Sequence, residues 1–299
     1  MSICNLNYKS AIECITNTFG AFYFVGDFIM ENILFIGGDL RSRYAFKILS
    51  DKGFSLSSYG LFEGDGYPKL SKKFDVVVLP VPTTRDGKNI NCPLTDTVIP
   101  LARIRELYGN CLILSGGYAF DGLRYIDYLS RYDFSLLNAV PTAEGTIAKA
   151  IEISKKTLFD SKVLVIGYGK CGKVLADRLR AFKCDLTVSA RKAEDFSMLK
   201  TLGIKPLHTA EVKENAPQFD IIFNTVDLML FDDFESLTNT IVIDISSKGC
   251  LDFNKASVEG LKAIMLPGIP GKTSPESAGK IVANTIMTIL NEENGKWKI

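Results

Sequence analysis

The sequence is short of several things. It has a single histidine, His208, in 299 residues. A metal site built on several histidines is therefore excluded, and so is a histidine-based triad over most of the chain. Acid–base chemistry must draw on Asp, Glu, Lys, Tyr, Cys or that one imidazole. The seven cysteines (Cys4, Cys14, Cys92, Cys111, Cys171, Cys184 and Cys250) are odd in number and include no C-x-x-C pair. Such a set reads as reduced thiols of a cytosolic protein, not as a disulfide framework. Neither charge dominates: 35 basic residues face 34 acidic ones, for a formal net charge of +1. A chain so balanced lacks the electrostatic footprint of a nucleic-acid or anionic-membrane protein. A small, locally clamped ligand suits it better. Long apolar runs are also missing. Ala21–Val25 is short, Lys9, Glu13 and Asp27 interrupt its surroundings, and no basic stretch precedes it. Neither a signal peptide nor a membrane span is expected there.

What remains is ordinary for a folded protein, with 46% hydrophobic and 23% charged residues, and long enough for a sizeable core and about two domains. Met30 stands directly before the strand-like Asn32–Ile36. Residues 1–29 therefore read as an extension, either poorly ordered or upstream of the true start. Short apolar runs then alternate with helical stretches: Ile33–Ile36, Phe54–Tyr59, Asp75–Pro80, Cys111–Leu114 and Phe134–Leu137, followed by Val163–Ile166, Asp185–Ser189, Ile221–Phe223, Ile241–Ile243 and Ala263–Leu266. Continuous apolar runs of this kind are parallel strands buried on both faces. The expectation is an α/β protein with two Rossmann-like, doubly wound parallel-sheet domains. It comprises an N-terminal substrate domain over 30–140, a linking helix over 141–158, a nucleotide domain over 159–273 and a terminal helix over 274–299 that packs back on the first domain. Two domains bridged by two helices leave a cleft, and ligands of open α/β sheets bind at the carboxyl ends of strands.

One motif carries specific chemistry. Gly167-Tyr168-Gly169-Lys170-Cys171-Gly172 is a G-x-G-x-x-G between a strand and a helix, the context in which that pattern binds a dinucleotide. Gly167 permits the turn, Gly169 lets the backbone approach a pyrophosphate, and Gly172 allows close helix–strand packing. The helix N-terminus then offers free N–H groups to the phosphates. An NAD site has Asp or Glu at the end of the next strand. This chain reads Ser189-Ala190-Arg191-Lys192 and has no carboxylate there. Ser189 and Arg191 suit a 2′-phosphate, Arg191 also suits stacking on adenine, and Lys192 adds charge. The cofactor read from these residues is NADP(H). Asn224-Thr225, Asp244-Ile245-Ser246 and Pro267-Gly268-Ile269-Pro270-Gly271 follow later strands and are expected to border it. His208 reads as structural or peripheral. Cys171 sits where a helix N-terminus can lower a thiol pKa, but reads as packing beside the pyrophosphate.

With that loop, Asn138-Ala139-Val140-Pro141-Thr142-Ala143-Glu144-Gly145-Thr146 and Pro267–Gly271 in view, the chain resembles the dipicolinate synthase A-subunit family of spore-forming bacteria. The resemblance runs in order from Met30 to Leu290 and includes Ile36-Gly37-Gly38-Asp39 and Ser115-Gly116-Gly117. It departs from the family pattern at Val226-Asp227, where a proline is usual, and at Cys250, where glycine is. The resemblance implies a two-domain NADP-dependent oxidoreductase that acts with the flavoprotein-like B subunit of dipicolinate synthase. The implied substrate is dihydrodipicolinate, the implied product dipicolinate (pyridine-2,6-dicarboxylate), and the implied location the mother-cell cytoplasm during sporulation.

Such a reaction needs a proton acceptor and groups that neutralise a small dicarboxylate. Glu144, just after Pro141, is the candidate base if it is partly desolvated at the cleft. A first-turn carboxylate stabilising the helix dipole is the alternative. Thr142 either caps that helix or contacts a carboxylate. Arg41, Thr83, Thr84, Arg85 and Ser115, all at strand ends of the first domain, are the candidate carboxylate binders. Two other readings stay open: a different NADP-dependent oxidoreductase acting on a small carbonyl or imine, and a non-catalytic NADP-binding partner protein. The apolar last helix suits a homo-oligomer interface as well as the domain interface.

Overall fold

In a computed structural model of the protein the described residues are 32–66 and 73–295. The expectations for residues 1–29 and for Met30 lie outside them. The first domain contains β1 (Asn32–Ile36), α1 (Leu40–Asp51), β2 (Ser55–Tyr59), β3 (Val76–Val78), α2 (Leu101–Tyr108), β4 (Leu112–Ser115) and β5 (Tyr125–Asp127). Its five strands are all parallel, in the order β2-β1-β3-β4-β5. The central strands β3 and β4 are buried along their whole length, which is why they carry unbroken apolar runs rather than alternation.

A long helix, α3 (Tyr132–Ile153), leads to the second domain. This comprises β6 (Lys162–Ile166), α4 (Lys170–Ala181), β7 (Asp185–Ala190), α5 (Ala193–Thr201), β8 (Lys205–His208), α6 (Val212–Asn215), β9 (Ile221–Asn224), β10 (Ile241–Asp244), α7 (Phe253–Val258) and β11 (Lys262–Met265). The short α8 (Ile269–Thr273) and the long α9 (Pro275–Glu293) close the described chain. The six strands are parallel, in the order β11-β10-β9-β6-β7-β8. β6 feeds two separate cores: Val163 and Val165 pack on one face of the sheet, Leu164 and Ile166 on the other. Helices cover both faces, as a doubly wound sheet requires. Among the described residues no helix is long and apolar enough to cross a membrane.

Two local expectations are corrected. Phe134–Leu137 is not a strand but part of the first turns of α3. Phe134 is 1% exposed and meets Tyr128 edge-on at 5.3 Å, so the run is apolar because one helical face is buried. Periodicity over four residues cannot separate the two cases. The last strand of the first sheet is instead β5, a half-buried edge strand. Pro141 accordingly lies inside a helix, not at its start.

α9 returns to the first domain and lies against α1. The contact is close because of Gly279: a methyl group there would sit 2.4 Å from Tyr44 Cβ and 2.7 Å from the Arg41 carbonyl oxygen. Alanine at 279 would gain about 1 kcal/mol of helix propensity. It would lose more, about 1–3 kcal/mol, by forcing backbone apart. Gly279→Ala is therefore expected to lower the urea midpoint, and an unchanged or raised midpoint would show that the two helices separate freely. The far end of α9 is tied down by Glu292, which accepts from Arg131 at 2.7 Å, and by a Glu293–Arg124 pair.

Candidate functional site

The glycine loop has the geometry its sequence implies. Gly167 has φ +97°, in the region that favours glycine. A methyl group at Gly172 would lie 2.0 Å from the Gly167 carbonyl oxygen, so Gly172 keeps α4 seated on the loop. Gly169 differs. It is the N-cap of α4, yet nothing lies within 4 Å of where its Cβ would be. No protein contact explains that glycine. It borders open space in front of a helix whose N-cap makes no side-chain hydrogen bond and whose first turn has no acid, as anion binding at a helix N-terminus needs. Lys170 reaches back to α3, donating to Ser135 Oγ at 2.6 Å and lying 5.0 Å from the Tyr132 ring centroid. The Tyr168 ring carries Lys173 at 5.1 Å. Burial raises the Cys171 thiol pKa, with Lys170 opposing the shift, so the helix terminus does not turn it into a nucleophile.

At the end of β7 the four predicted residues divide. Ser189 is wholly buried, and its Oγ accepts from the Gly167 N–H at 3.2 Å. It braces the glycine turn and does not face a 2′-phosphate, which corrects the expectation. Ala190 is buried in the core. Lys192 pairs with Glu194 at 3.3 Å, and Asp195 pairs with Lys173 at 3.7 Å. Arg191 is exposed and forms no ion pair among the described residues. Of the two cations at this strand end, it is the one without a carboxylate.

The ends of β9 and β10 are engaged internally. The Asn224 amide donates to Asp244 Oδ2 at 2.8 Å, to the Val226 carbonyl at 2.8 Å and to Ser246 Oγ at 3.3 Å. Asp244, 0% exposed, also accepts from the backbone of Ser246 and Cys250, each at 2.7 Å. Thr225 Oγ1 donates to the Ile166 carbonyl at 2.8 Å. These residues wall the site through backbone and shape, and their polar side chains fix the loops instead of facing a ligand.

On the first-domain side the predicted carboxylate binders also divide. Arg41, 4% exposed, grips Asp39 through Nε and Nη2 at 2.7–3.0 Å and donates to the Val81 carbonyl. A methyl group at Gly271 would meet this pair at 2.6 Å and 2.9 Å. Arg41 is therefore the buried seat of α8, a correction to its reading as a substrate ligand. Thr83 Oγ1 donates to the Pro80 carbonyl and accepts from the Gly116 N–H at 2.8 Å. Thr84 Oγ1 donates to Asp86 and accepts from the Gly87 N–H. Both hydroxyls are engaged in shaping their loops, where the sequence suggests binding roles. Arg85 and Ser115 are not so engaged. Arg85 is exposed, makes no ion pair among the described residues and donates to Asn91 Oδ1 at 3.3 Å. A methyl group at Gly268 would approach its guanidinium to 3.7 Å. Ser115 Oγ and Asn91 Nδ2 are buried without hydrogen-bond partners, each at a cost of about 1–3 kcal/mol if nothing else meets it. Asn91 gives no signal in the sequence, where it resembles any loop asparagine.

The remaining candidates lie elsewhere. Glu144 is not in a first turn. It sits mid-helix with its side chain 56% exposed, 3.5 Å from Arg178. The expected desolvation is absent, and with it the argument for a base. Thr142 does not cap a helix. Its Oγ1 donates to the Asn138 carbonyl at 2.7 Å, one turn back. His208 Nδ1 accepts from the Ala210 N–H at 3.2 Å in a local turn. A groove of about 650 Å³ between Phe62–Asp65 and Pro93–Thr97 is walled by Glu63, Asp65 and Asp96, the wrong sign for a phosphate or carboxylate.

The segments singled out in the sequence meet one another. Gly145 lets α3 touch α8, since a methyl group there would lie 2.3 Å from Ile269 and 2.6 Å from Thr273 Oγ1. Gly271 meets Asp39 and Arg41 from the other side. Three separated motifs thus form one junction. Residues 32–127 match the family described as the N-terminal domain of the dipicolinate synthase A subunit. Over 291 residues the chain is 29% identical to the dipicolinate synthase A subunit of Bacillus subtilis (strain 168), spanning 88% of this chain and 98% of that protein. The chain is similar to the dipicolinate synthase A subunit along nearly its whole length. The crystal structure of that subunit from Bacillus halodurans superposes with a TM-score of 0.78 at 26% identity, covering 89% of this chain and 99% of that one. D-lactate dehydrogenase from Escherichia coli, at 13% identity and a TM-score of 0.57, covers 88% of this chain and 97% of its own. It shares the fold. Likeness to the A subunit therefore extends through the second domain as well as the N-terminal one, and the two-domain fold is shared with D-lactate dehydrogenase.

Proposed function

We propose that this chain is an NADP-dependent oxidoreductase that converts dihydrodipicolinate to pyridine-2,6-dicarboxylate. In this reading it works with the dipicolinate synthase B subunit in the mother-cell cytoplasm of a sporulating bacterium. Two hydrogens leave the ring, one as hydride and one as a proton, and the product is aromatic. Bound NADP⁺ supplies the hydride acceptor. The chain's own residues bind and orient: the open face at Gly169 and the α4 N-terminus take the pyrophosphate, Arg191 takes the 2′-phosphate, and the backbone around Pro267 and Gly268 lines the reacting side. Holding the ring against the nicotinamide can be worth as much as ~7–11 kcal/mol of barrier.

The observation that carries this reading is the approach of the Gly268 loop to Arg85. It sets the carboxyl edge of the nucleotide sheet against an unpaired guanidinium of the first domain. A small anionic substrate would be held at that meeting point.

The test is anaerobic nicotinamide absorbance with the purified chain, NADP⁺ and enzymatically generated dihydrodipicolinate, with and without the B subunit, and with NAD⁺ in parallel. NADPH formation by the chain alone supports the reading in full. Formation only with the B subunit makes this chain half of a shared site. No signal in either case, despite tight NADP⁺ binding, overturns the substrate. Arg191→Ala is expected to weaken NADP⁺ binding about 10- to 100-fold, the value of one or two charge-assisted hydrogen bonds. NAD⁺ binding should be unchanged, and an equal loss for both nucleotides would remove Arg191 from the 2′-phosphate.

A further inference from the structure

We propose that Asn91, together with Arg85, forms the subsite that anchors one carboxylate of the substrate. The assignment rests on the dicarboxylate reading above and adds a residue that neither the sequence nor the comparisons single out.

Asn91 is held rigidly. Its N–H donates to the Thr83 carbonyl and its carbonyl accepts from the Gly38 N–H, both at 2.9 Å. This places it at the end of β1, beside the Gly37-Gly38-Asp39 turn. The residue is 8% exposed, and its Nδ2 is buried. Arg85 Nε donates to Oδ1 at 3.3 Å, so the oxygen faces the guanidinium and the amide N–H groups are left over. Nδ2 has no partner. No carboxylate among the described residues forms an ion pair with Arg85. Asp39 is held by Arg41. Asp86 accepts from the backbone of Lys88 and Asn89 and from the Asn89 amide, each at 2.8 Å. What remains is a guanidinium with no carboxylate partner, which approaches the Gly268 loop, beside an amide N–H₂ with no acceptor. A buried orphan donor calls for a partner, and next to an unpaired guanidinium the complementary group is a carboxylate. Asn91 Oδ1 also accepts from Arg85 Nε and so orients the guanidinium; one residue both binds and orients.

The test is calorimetric titration of the full chain, loaded with NADP⁺, with pyridine-2,6-dicarboxylate and with pyridine-2-carboxylate. Asn91→Asp sets a carboxylate against the ligand's own and is expected to weaken binding of the dicarboxylate about 100-fold. Asn91→Ala removes one donor and should weaken it about tenfold. Arg85→Gln, at an exposed position where folding is not at risk, should weaken it by about 10- to 100-fold. NADP⁺ affinity stays at the wild-type value in all three. In turnover assays the variants raise KM far more than they lower kcat. Wild-type affinity for the dicarboxylate in both Asn91→Asp and Arg85→Gln overturns the proposal. So does an Asn91→Ala variant that melts lower yet binds normally, because a resident water would then be the partner of Nδ2. So does a wild-type chain that binds neither acid. If turnover continues with KM unchanged in the variants, the subsite fails and the proposed reaction stands. If the acids bind and the variants lose them while NADP⁺ is never reduced, even with the B subunit, the subsite stands and the reaction fails.

Discussion

Replacing Arg41 with alanine is expected to destabilise the chain by about 3–5 kcal/mol, the usual result of removing one partner from a buried ion pair. The side chains of Arg41 and Asp39 are 5% and 20% exposed, so water can take over only part of the charge that is left. Asp39 would keep its hydrogen bond from the residue-41 N–H, which caps α1. It would lose its three contacts from the guanidinium Nε and Nη2, and the Val81 carbonyl would lose its donor. The damage also reaches α8, because Gly271 rests on the pair. Poorer substrate binding is expected as a consequence of that lost seat. Arg41→Lys should fall between, since it keeps the charge but not the fork. Urea unfolding of Arg41→Ala and Arg85→Gln side by side checks the distinction: the first midpoint falls steeply and the second stays within about 0.5 kcal/mol of wild type, as for a typical surface change. An Arg41→Ala protein of unchanged stability and raised KM would return Arg41 to the substrate site.

The contrast between these two arginines marks where sequence reading ends. Both follow strands of the first domain, and both stand near glycine or threonine. Which one is free depends on what covers them, and the covering residues are more than 180 positions away, at Gly268 and Gly271. The glycine loop is legible because its chemistry is local: a strand, three glycines and a helix, each with its own reason. Ser189 is misjudged from sequence for want of register. On the β6 side it pairs with Ile166, its hydroxyl meets the glycine turn, and it is Arg191 and Lys192, beyond the strand, that face outward. Phe134–Leu137 is ambiguous in principle, since a short apolar run satisfies strand and buried helix alike. Glu144 follows from the same error: once α3 starts at Tyr132, its position belongs to an exposed face against Arg178. Three of the motif segments that carry the family resemblance prove to be one packing junction around Gly145, Gly271 and Asp39. Long-range contacts of small residues leave a sequence trace, but not one that names their partners.

Two glycines of the nucleotide loop give opposite expectations, and together they test whether the loop binds a cofactor. Alanine at Gly172 would put a methyl group 2.0 Å from the Gly167 carbonyl oxygen and 2.9 Å from its carbon. Those atoms are backbone and cannot swing away. Either α4 lifts from the loop or the loop distorts, at about 1–3 kcal/mol. A gain of about 1 kcal/mol in helix propensity does not offset this. Gly172→Ala should therefore lose stability and, with the N–H groups misaimed, affinity for NADP⁺ and NAD⁺ alike. Alanine at Gly169 meets no protein atom within 4 Å, and its φ of −78° and ψ of −165° suit any residue. Its stability should stay within about 1 kcal/mol of wild type, since only the choice of N-cap residue changes. Yet its methyl group would stand where, in the proposed function, the pyrophosphate approaches the helix N-terminus, and affinity for both nucleotides should fall about 10- to 100-fold, as when buried charge-assisted hydrogen bonds are lengthened or lost. Chemical denaturation and nucleotide titration on the two variants separate the effects. Wild-type nucleotide affinity in Gly169→Ala would mean that the open space before α4 is not the nucleotide's path, and the cofactor reading of the loop would fall with it.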